Sequence, residues 1–225
     1  ALYFAAQGHH VTFGYLPYSD WQNDVNKFDL RRQDLYTKKV FEQAAEYMDI
    51  VSFLPIHPSY KPIPDELKQI IEEVSRYDAQ YTLQVEDVDK EHPLYKMRLE
   101  RNESFARMLY PWLSANKPNH MIIPNGTIQE MGIAYRMAKW LKIPVVTYEF
   151  GEQRKRIWIA QNREVMRQET DDLWEVRKNI PVETEELKKM EAMFSARQHA
   201  DIWENFTRRW QGSDRVGTEK IKQEL

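Results

Sequence analysis

The pattern of hydrophobic and polar positions is clearest between residues 118 and 152, where it predicts a strand, a helix and a second strand. A short apolar run, Met121 to Ile123, ends at a polar loop, and apolar residues then recur at helical intervals. A second apolar run, Val145 to Tyr148, follows the dipeptide Ile143-Pro144. A strand, a crossover helix and another strand of this size form a parallel unit. This segment therefore predicts an α/β fold.

The rest of the chain continues this alternation. Strands are predicted at His10 to Leu16 and at Ile50 to Leu54, with a weaker one at Tyr81 to Val85. The predicted helices are a helix end at residues 1–7 capped by Gly8, a helix near 35–48, one capped by Asp65, a long one from Pro93 that Pro111 kinks or ends, and amphipathic helices between 182 and 210. We predict a Rossmann-like domain at residues 1–180, with a mostly parallel sheet flanked by helices, and a helical extension at 181–225.

Composition narrows the classes of protein that fit. The chain has 225 residues, of which 42% are hydrophobic and 30% charged, a balance typical of a folded, soluble protein. It has no cysteine, which excludes disulfides and thiolate chemistry. A formal net charge of −3 gives no overall basic surface for nucleic acid. No apolar run approaches the roughly 20 residues that cross a bilayer. We therefore expect a cytoplasmic location, which leaves open peripheral contact with the inner face of the membrane.

The loop after the first strand of the central unit, Asn125-Gly126-Thr127, is the first candidate site. In open parallel sheets, ligands bind beyond the carboxyl ends of the strands. Glycine lets the backbone approach a ligand closely, and the amino terminus of the following helix favours negative groups. The alternative is a turn whose glycine only relieves backbone strain. Thr127 and Glu130 have the spacing of a capping box, which gives Glu130 a structural role.

Charged residues follow the second strand of the unit and form the second candidate site. Glu149 and Glu152 flank Gly151, and Arg154 begins a run of three cations. A carboxylate here can act as a general base toward a hydroxyl, and the cations can hold a phosphate or an acidic sugar. The alternative is a solvated cluster of surface charges whose ion pairs contribute little. Glu149 is the stronger candidate because it directly follows the apolar strand.

His57 follows the strand predicted at 50–54 and lies between prolines. If that strand is parallel to the others, His57 lies at the same edge of the sheet and can contribute to substrate binding. A structural role in the loop is the alternative. The sequence has no metal-ligand spacing such as HExxH, no GxSxG nucleophile motif and no GxxxxGK[ST] phosphate loop. Hydrolase and P-loop interpretations therefore have no support.

Two segments of the chain resemble a known enzyme family. ALYFAAQGHHVTFGYLPY, at residues 1–18, resembles the first helix and second strand of the amino-terminal domain in GT-B glycosyltransferases, which have two Rossmann-like halves. PNGTIQEMGIAYRMAKWLKIPVVTYEFGEQ, at residues 124–153, resembles a segment of capsule-polysaccharide-type transferases. In that segment an Asn-Gly loop precedes a helix, and a strand ends in Glu-x-Gly. The resemblance extends over about residues 1–175, and the first strand of the family would precede Ala1.

The resemblance implies the acceptor-side domain of a glycosyltransferase that acts in polysaccharide biosynthesis. Asn125 and Gly126 would line the cleft. Glu149 would be the catalytic or acceptor-binding carboxylate, with Glu152 and Arg154 on the rim. The acceptor would be a glycan or a lipid-linked sugar.

The same resemblance implies a second domain. The nucleotide-sugar donor would bind a carboxyl-terminal domain of the same protein, so no cofactor is expected within this chain, and the chain alone would be inactive. The last residues, GSDRVGTEKIKQEL, resemble the helix that precedes the first strand of that second half.

A self-contained module is the alternative. It would bind a nucleotide or another protein through a Rossmann-like sheet and would have no transferase activity. Its carboxyl-terminal helices would form a contact surface for a partner, which leaves open a homodimer. The apolar residues of those helices are Leu187, Met190, Phe194, Trp203, Phe206 and Trp210.

Overall fold

The computed structural model describes residues 1–17, 23, 26–54, 62–151 and 157–199, apart from the side chain of residue 197. Within these ranges the chain has the predicted α/β fold, in which helices flank a small parallel sheet and a small mixed sheet in a Rossmann-like arrangement. The strands are β1 Thr12–Tyr15, β2 Asp49–Ser52, β3 Met121–Pro124, β4 Val145–Phe150 and β5 Ile157–Gln161. The α-helices are α1 Leu2–Ala6, α2 Lys27–Phe41, α3 Asp65–Leu83, α4 Pro93–Asn116, α5 Gln129–Trp140, α6 Asp171–Arg177 and α7 Thr184–His199. Glu42–Glu46 and Val165–Arg167 form 3₁₀ helices.

The chain forms two compact units. Unit 1 contains Ala1–Thr147 together with Gln161–Arg163, and unit 2 contains Tyr148–Ala160 and the chain from Glu164 onward. Strand β4 therefore begins in unit 1 and ends in unit 2. The domain boundary predicted after residue 180 stays a prediction.

The parallel sheet of unit 1 consists of β1 and β2, which are joined through α2. Thr12 is opposite Asp49, and Tyr15 is opposite Ser52. The carboxyl ends of the two strands therefore lie side by side. In the second sheet of the described residues, the strand order is β3-β4-β5.

Helices α3, α4 and α5 pack on one another and supply most of the core of unit 1. On α3, Leu67, Ile71 and Val74 recur at helical spacing on one face, and Leu67 and Val74 are fully buried. The facing helices contribute fully buried side chains such as Leu113 of α4 and Met137 of α5. Replacing one of these large side chains with alanine would cost about 2–5 kcal/mol through lost burial and the cavity left behind. This packing fixes the position of α5 and of the loop before it.

Two predictions about α3 are wrong. The weak strand predicted at Tyr81 to Val85 is the end of this helix, which runs to Leu83 and stops at Gln84 with a left-handed φ of 56°. The helix continues because the same face stays packed against α4. Asp65 is the first residue of α3 and not its cap, since Pro64 occupies the cap position without a side-chain hydrogen bond.

The boundaries of two other helices also differ from the prediction. Helix α2 begins about two turns before the predicted start, because the Asn26 side chain caps it by accepting a hydrogen bond from the N–H of Asp29 at 2.9 Å. Pro111 does not end α4, which continues to Asn116. Leu113 is buried in that last stretch, and its packing offsets the backbone hydrogen bond that proline cannot donate.

Candidate functional site

The Asn-Gly loop, residues 125–128, leaves the carboxyl end of β3 and leads into α5. Asn125 and Gly126 both have left-handed backbones, with φ of 59° and 82°. The Oδ1 atom of Asn125 accepts a hydrogen bond from the N–H of Thr127 at 3.0 Å. Asparagine and glycine adopt this conformation at low cost, so the sequence specifies this turn locally.

The predicted capping box at this loop is wrong. Ile128 occupies the cap position of α5, and no side chain caps the helix there. The N–H of Thr127 is instead bound by Asn125, which makes Thr127 part of the turn. Glu130 lies in the first turn of α5, where a carboxylate interacts favourably with the helix dipole without a capping bond.

Two glycines let the loop approach its neighbours closely. A Cβ atom added at Gly126 would lie 2.6 Å from the Cγ2 atom of Thr147 on β4. A Cβ atom added at Gly132 of α5 would lie 2.5 Å from the carbonyl oxygen of Thr127. The loop is therefore packed against both β4 and α5. Gly126 is required by its φ and by this contact, whether or not a ligand binds.

Arg136 of α5 connects the loop to α3. Its side chain is only 10% exposed, and its Nη1 atom donates to the carbonyl oxygen of Thr127 at 3.4 Å. Its Nε atom lies 3.4 Å from a carboxylate oxygen of Glu73, and its guanidinium lies over the ring of Tyr77. The Tyr77 hydroxyl donates to the other Glu73 oxygen at 3.1 Å. The loop is thus braced by a polar cluster built on α3 and α5.

A buried ion pair joins α3 to α4. Asp78 is fully buried, and its Oδ2 atom lies 3.2 Å from the Nε atom of Arg98, which is also buried. Neither carboxylate oxygen of Asp78 accepts an aligned hydrogen bond in the described part of the chain. One turn away, the amide of Asn102 donates to the hydroxyl of Ser75 at 2.9 Å.

The environment of Asp78 changes its protonation. Burial raises the pKa of this carboxyl to about 6; Arg98 opposes that rise, and the carboxylate of Glu130 adds to it. Arg101 also lowers the pKa. The pair therefore titrates close to neutral pH, and a strongly perturbed pKa is one mark of functional sites.

A second buried carboxylate lies at the carboxyl edge of the parallel sheet. Asp34 of α2 accepts hydrogen bonds on Oδ1 from the hydroxyls of Tyr15 at 3.0 Å and Ser52 at 2.5 Å. The ammonium of Lys38 lies 2.9 Å from its Oδ2 atom. With donors on both oxygens, Asp34 connects α2 to the ends of β1 and β2. This saturation favours a structural role over a catalytic one.

A groove of about 490 Å³ lies between the start of α3 and the second half of α4. Its floor is apolar and includes the buried side chains of Ile63, Leu67 and Ala106. Residues 55–61, which precede the groove residue Pro62 in the sequence, lie outside the described residues. His57 is among them, so its predicted role in substrate binding stays a prediction.

Glu149 was predicted in a loop but lies within β4, which extends to Phe150. The strand is longer than predicted because β5, which the sequence analysis missed, pairs alongside it. One carboxylate oxygen of Glu149 accepts the N–H of Phe150 at 3.0 Å. Gly151 follows directly, whereas the predicted rim residues Glu152 and Arg154 lie outside the described residues.

The structure brings some of the predicted site residues together. Asn125, Gly126 and Thr127 form one turn in unit 1, whereas Glu149 and Gly151 belong to unit 2. In the described ranges, no three His, Asp or Glu side chains are grouped as a metal site. No helix in the described part of the chain is long and apolar enough to span a membrane.

Compared with protein-family models, curated proteins and solved structures, the chain matches none. Its function is therefore inferred from the chemistry of its own residues.

The sequence analysis missed the polar residues around the helices. Asp78 continues the apolar face of α3, four residues after Val74 and seven after Ile71. A charged residue on an apolar face indicates a buried partner, and that signal could have found it. Arg136 and Asp34 gave no comparable signal, because Glu73, the partner of Arg136, and Tyr15 and Ser52, the hydroxyl donors to Asp34, are distant in sequence.

Proposed function

We propose that this chain is the acceptor-side domain of a glycosyltransferase that transfers a sugar from a nucleotide-sugar to a glycan or lipid-linked acceptor in polysaccharide biosynthesis. The observation that carries the proposal is the Asn-Gly loop at the carboxyl end of β3. Its turn is fixed by Asn125, its glycine lies against β4, and Arg136 braces it from the other side. A loop held in one conformation at this position is suited to bind a substrate without a large loss of entropy.

The chemistry of the loop limits what it can offer a substrate. The Oδ1 atom of Asn125 is already bound to the N–H of Thr127, so that oxygen maintains the turn. Gly126 is buried and its N–H donates to the carbonyl oxygen of Pro124 at 2.7 Å, so the half-buried side chains of Asn125 and Thr127 beside it are the better candidates for contact with an acceptor. We therefore assign the loop to positioning the acceptor and not to proton transfer.

Proton transfer is assigned to Glu149. In sugar transfer, an acceptor hydroxyl attacks the anomeric carbon of the donor, the nucleoside diphosphate leaves, and a base takes the proton of the hydroxyl. Glu149 follows the apolar part of β4 and carries a carboxylate suited to that step. The donor would bind the carboxyl-terminal domain implied by the family resemblance. A location in the cytoplasm, at the inner face of the membrane, fits a lipid-linked acceptor.

The test is the variant Glu149→Gln in the protein encoded by the complete gene. We expect turnover of the nucleotide-sugar to fall by about 100-fold or more, because general-base catalysis typically contributes that much. The far-ultraviolet circular dichroism and the melting temperature should be unchanged. The matched control is Glu164→Gln, the same substitution at a buried glutamate that is also in unit 2. This control should retain more activity than Glu149→Gln. Near-normal turnover of Glu149→Gln would remove Glu149 from the catalytic role.

An interaction module is the second candidate, and the exposed apolar side chains of unit 2 favour it. On α6, Leu173, Trp174 and Val176 are each at least 64% exposed. On α7, Leu187 and Phe194 are about half exposed. Apolar surface of this extent is typical of contact sites. If a homodimer forms through these helices, light scattering should give twice the mass of the chain; a monomer at all concentrations would exclude it.

A further inference from the structure

Helix α2 has one side on the parallel sheet and the other in solvent. Asp34, which is 3% exposed, holds the inner side against β1 and β2 through its hydroxyl donors. Phe41, seven residues later and therefore on the same side, has its ring centroid 5.1 Å from that of Phe13. The exposed side chains of α2 are all apolar or cationic. The four apolar ones, from 56% to 74% exposed, are Phe28, Leu35, Tyr36 and Val40.

Cations occupy the remaining exposed positions of α2, and its acidic residues do not. Asp34 is buried, and Asp29 is half-buried with a carboxylate oxygen 3.5 Å from Arg32. The exposed carboxylates of the following 3₁₀ helix, Glu42 and Glu46, lie beyond the end of α2. The exposed face of α2 therefore has a net positive charge. Its cations are Lys27, Arg31, Arg32, Lys38 and Lys39.

Apolar and cationic side chains alternate on this face. Side chains four residues apart are neighbours on a helix surface. One row at this spacing consists of Phe28, Arg32, Tyr36 and Val40. The row beside it consists of Lys27, Arg31, Leu35 and Lys39. A single surface of α2 therefore offers apolar contact and positive charge together.

We propose that this face of α2 docks on a membrane that contains anionic lipids. The apolar side chains of an amphipathic helix enter the boundary between headgroups and acyl chains, and its lysines and arginines reach back to the lipid phosphates. A soluble polyanion would pair with the cations but would leave Phe28, Leu35 and Val40 in water. An anionic bilayer satisfies both kinds of side chain. The docking surface does not depend on the proposed transferase activity; if that activity holds, the same membrane carries the lipid-linked acceptor.

Helix α2 needs no folding step before it docks. The Asn26 side chain caps its start, and Asp34 and Phe41 fix its inner side to the sheet. A segment that folds only on binding loses part of its interaction energy to ordering, whereas α2 is ordered beforehand. Because the docking side chains are exposed, their substitution should leave the fold intact.

The first test is co-sedimentation of the purified chain with phospholipid vesicles. One set consists of phosphatidylcholine that contains one third phosphatidylglycerol, and the other consists of phosphatidylcholine alone. We expect the partition coefficient to be at least about tenfold larger on the anionic vesicles, because each lysine or arginine near such a surface contributes about fivefold. The difference should shrink as salt is added, since salt screens these charges.

Two double variants separate the apolar and the cationic contributions. Phe28→Ser with Leu35→Ser removes apolar contact and should lower partitioning onto the anionic vesicles by about tenfold or more. Arg31→Gln with Lys39→Gln removes two cations and should lower the same partitioning by about 25-fold.

The controls make the same kinds of substitution elsewhere in unit 1. Tyr81→Ser on α3, where the side chain is 60% exposed, is matched to Tyr36→Ser on α2, where it is 71% exposed. Lys117→Gln with Lys142→Gln removes two exposed cations outside α2. Of these control variants, only Tyr36→Ser should lower partitioning by several-fold. Circular dichroism checks that each variant is folded.

Two outcomes would overturn the proposal. One is equal partitioning of the wild type onto both sets of vesicles, or none onto either. The other is loss of partitioning in the cation variant together with wild-type partitioning of Phe28→Ser with Leu35→Ser, because that result would indicate charge alone and favour a polyanion in solution. The assay contains neither nucleotide-sugar nor acceptor, so it can fail while the glycosyltransferase proposal stands. Normal turnover of Glu149→Gln would in turn leave the docking result unchanged.

Discussion

Two buried carboxylates in unit 1 experience opposite environments. Asp34 is 3% exposed and Asp78 is fully buried, so both lose most of their hydration. Asp34 has two hydroxyl donors on one oxygen and an ammonium beside the other. Asp78 has a guanidinium at 3.2 Å but accepts no aligned hydrogen bond in the described residues.

The pKa shifts of Asp34 and Asp78 have opposite directions. Burial alone would raise the pKa of Asp34, but the hydrogen bonds from Lys38 and Ser52 and a third from Tyr15 lower it below its ordinary value. For Asp78 burial prevails, and the pKa rises to about 6. Burial raises the pKa of both carboxyls; the aligned donors of Asp34 outweigh it, whereas Asp78, which is buried more deeply and has no aligned donor in the described residues, stays above its ordinary value. Asp34 is a structural connection, whereas Asp78 is able to exchange a proton near neutral pH.

The largest effect is expected from removing the partner of Asp78. Arg98→Met leaves Asp78 buried without its closest counter-charge, which should lower the free energy of unfolding by about 3–5 kcal/mol at pH 7. Urea denaturation measures this change. The control is Lys96→Met on the same helix, whose exposed pair with Glu91 should contribute less than about 1 kcal/mol. Equal effects of the two variants would contradict the buried ion pair.

The second effect is a loss of stability with rising pH that Asp78 produces. Because its folded pKa lies above the ordinary value, its contribution to stability is fully present below about pH 4 and is lost as the pH rises to about 6. The wild type should therefore lose on the order of 2–3 kcal/mol relative to Asp78→Asn across this range. Urea midpoints at several pH values measure it. A constant difference between the two proteins would show that Asp78 has an ordinary pKa.

The third effect concerns Asp34 and has the opposite sign. Asp34→Asn removes the charge that accepts three donors, and should lower the free energy of unfolding by about 2 kcal/mol at pH 7. Because the folded pKa of Asp34 is lowered, its contribution is present above the ordinary pKa and is lost as the pH falls through the folded value. The difference between wild type and variant should therefore shrink in acid. A stability difference that grew in acid would mean that the pKa of Asp34 is raised and not lowered in the folded state.

The smallest effect is expected from Lys38→Met. The Lys38 side chain is 56% exposed, and its loss leaves Asp34 with the hydroxyls of Tyr15 and Ser52. We expect a decrease of less than about 1 kcal/mol in the free energy of unfolding, as for other exposed ion pairs. Removing the neighbouring cation should therefore lower the free energy of unfolding far less at Asp34 than at Asp78. Thermal denaturation of Lys38→Met and Arg98→Met in parallel measures both changes.

The fold could be predicted where local signals were strong. Apolar runs placed β1, β2, β3 and the start of β4, and the heptad-like spacing on α3 placed that helix. The end of α3 and the extent of β4 could not be predicted, because packing on α4 and pairing with β5 decide them. The Asn-Gly turn was found because two adjacent residues specify it.

The buried polar contacts of the candidate site could not be predicted from the sequence. Arg136 contacts Glu73, which is more than sixty residues earlier, and Asp34 meets its donors from two strands. No pattern within one helix or strand encodes such pairs. The charged residue on the apolar face of α3 was the one local indication, and it points to Asp78.

The central claim, that this chain binds the acceptor and not the donor, is tested most directly by isothermal titration calorimetry of the purified chain. One series uses nucleotide-sugars and free nucleotides, and the other uses oligosaccharide acceptors. We expect binding of an acceptor and little or no heat with nucleotides. Nucleotide-sugar binding tighter than about 10 μM, or roughly −7 kcal/mol, would contradict the account and indicate a self-contained nucleotide-binding protein.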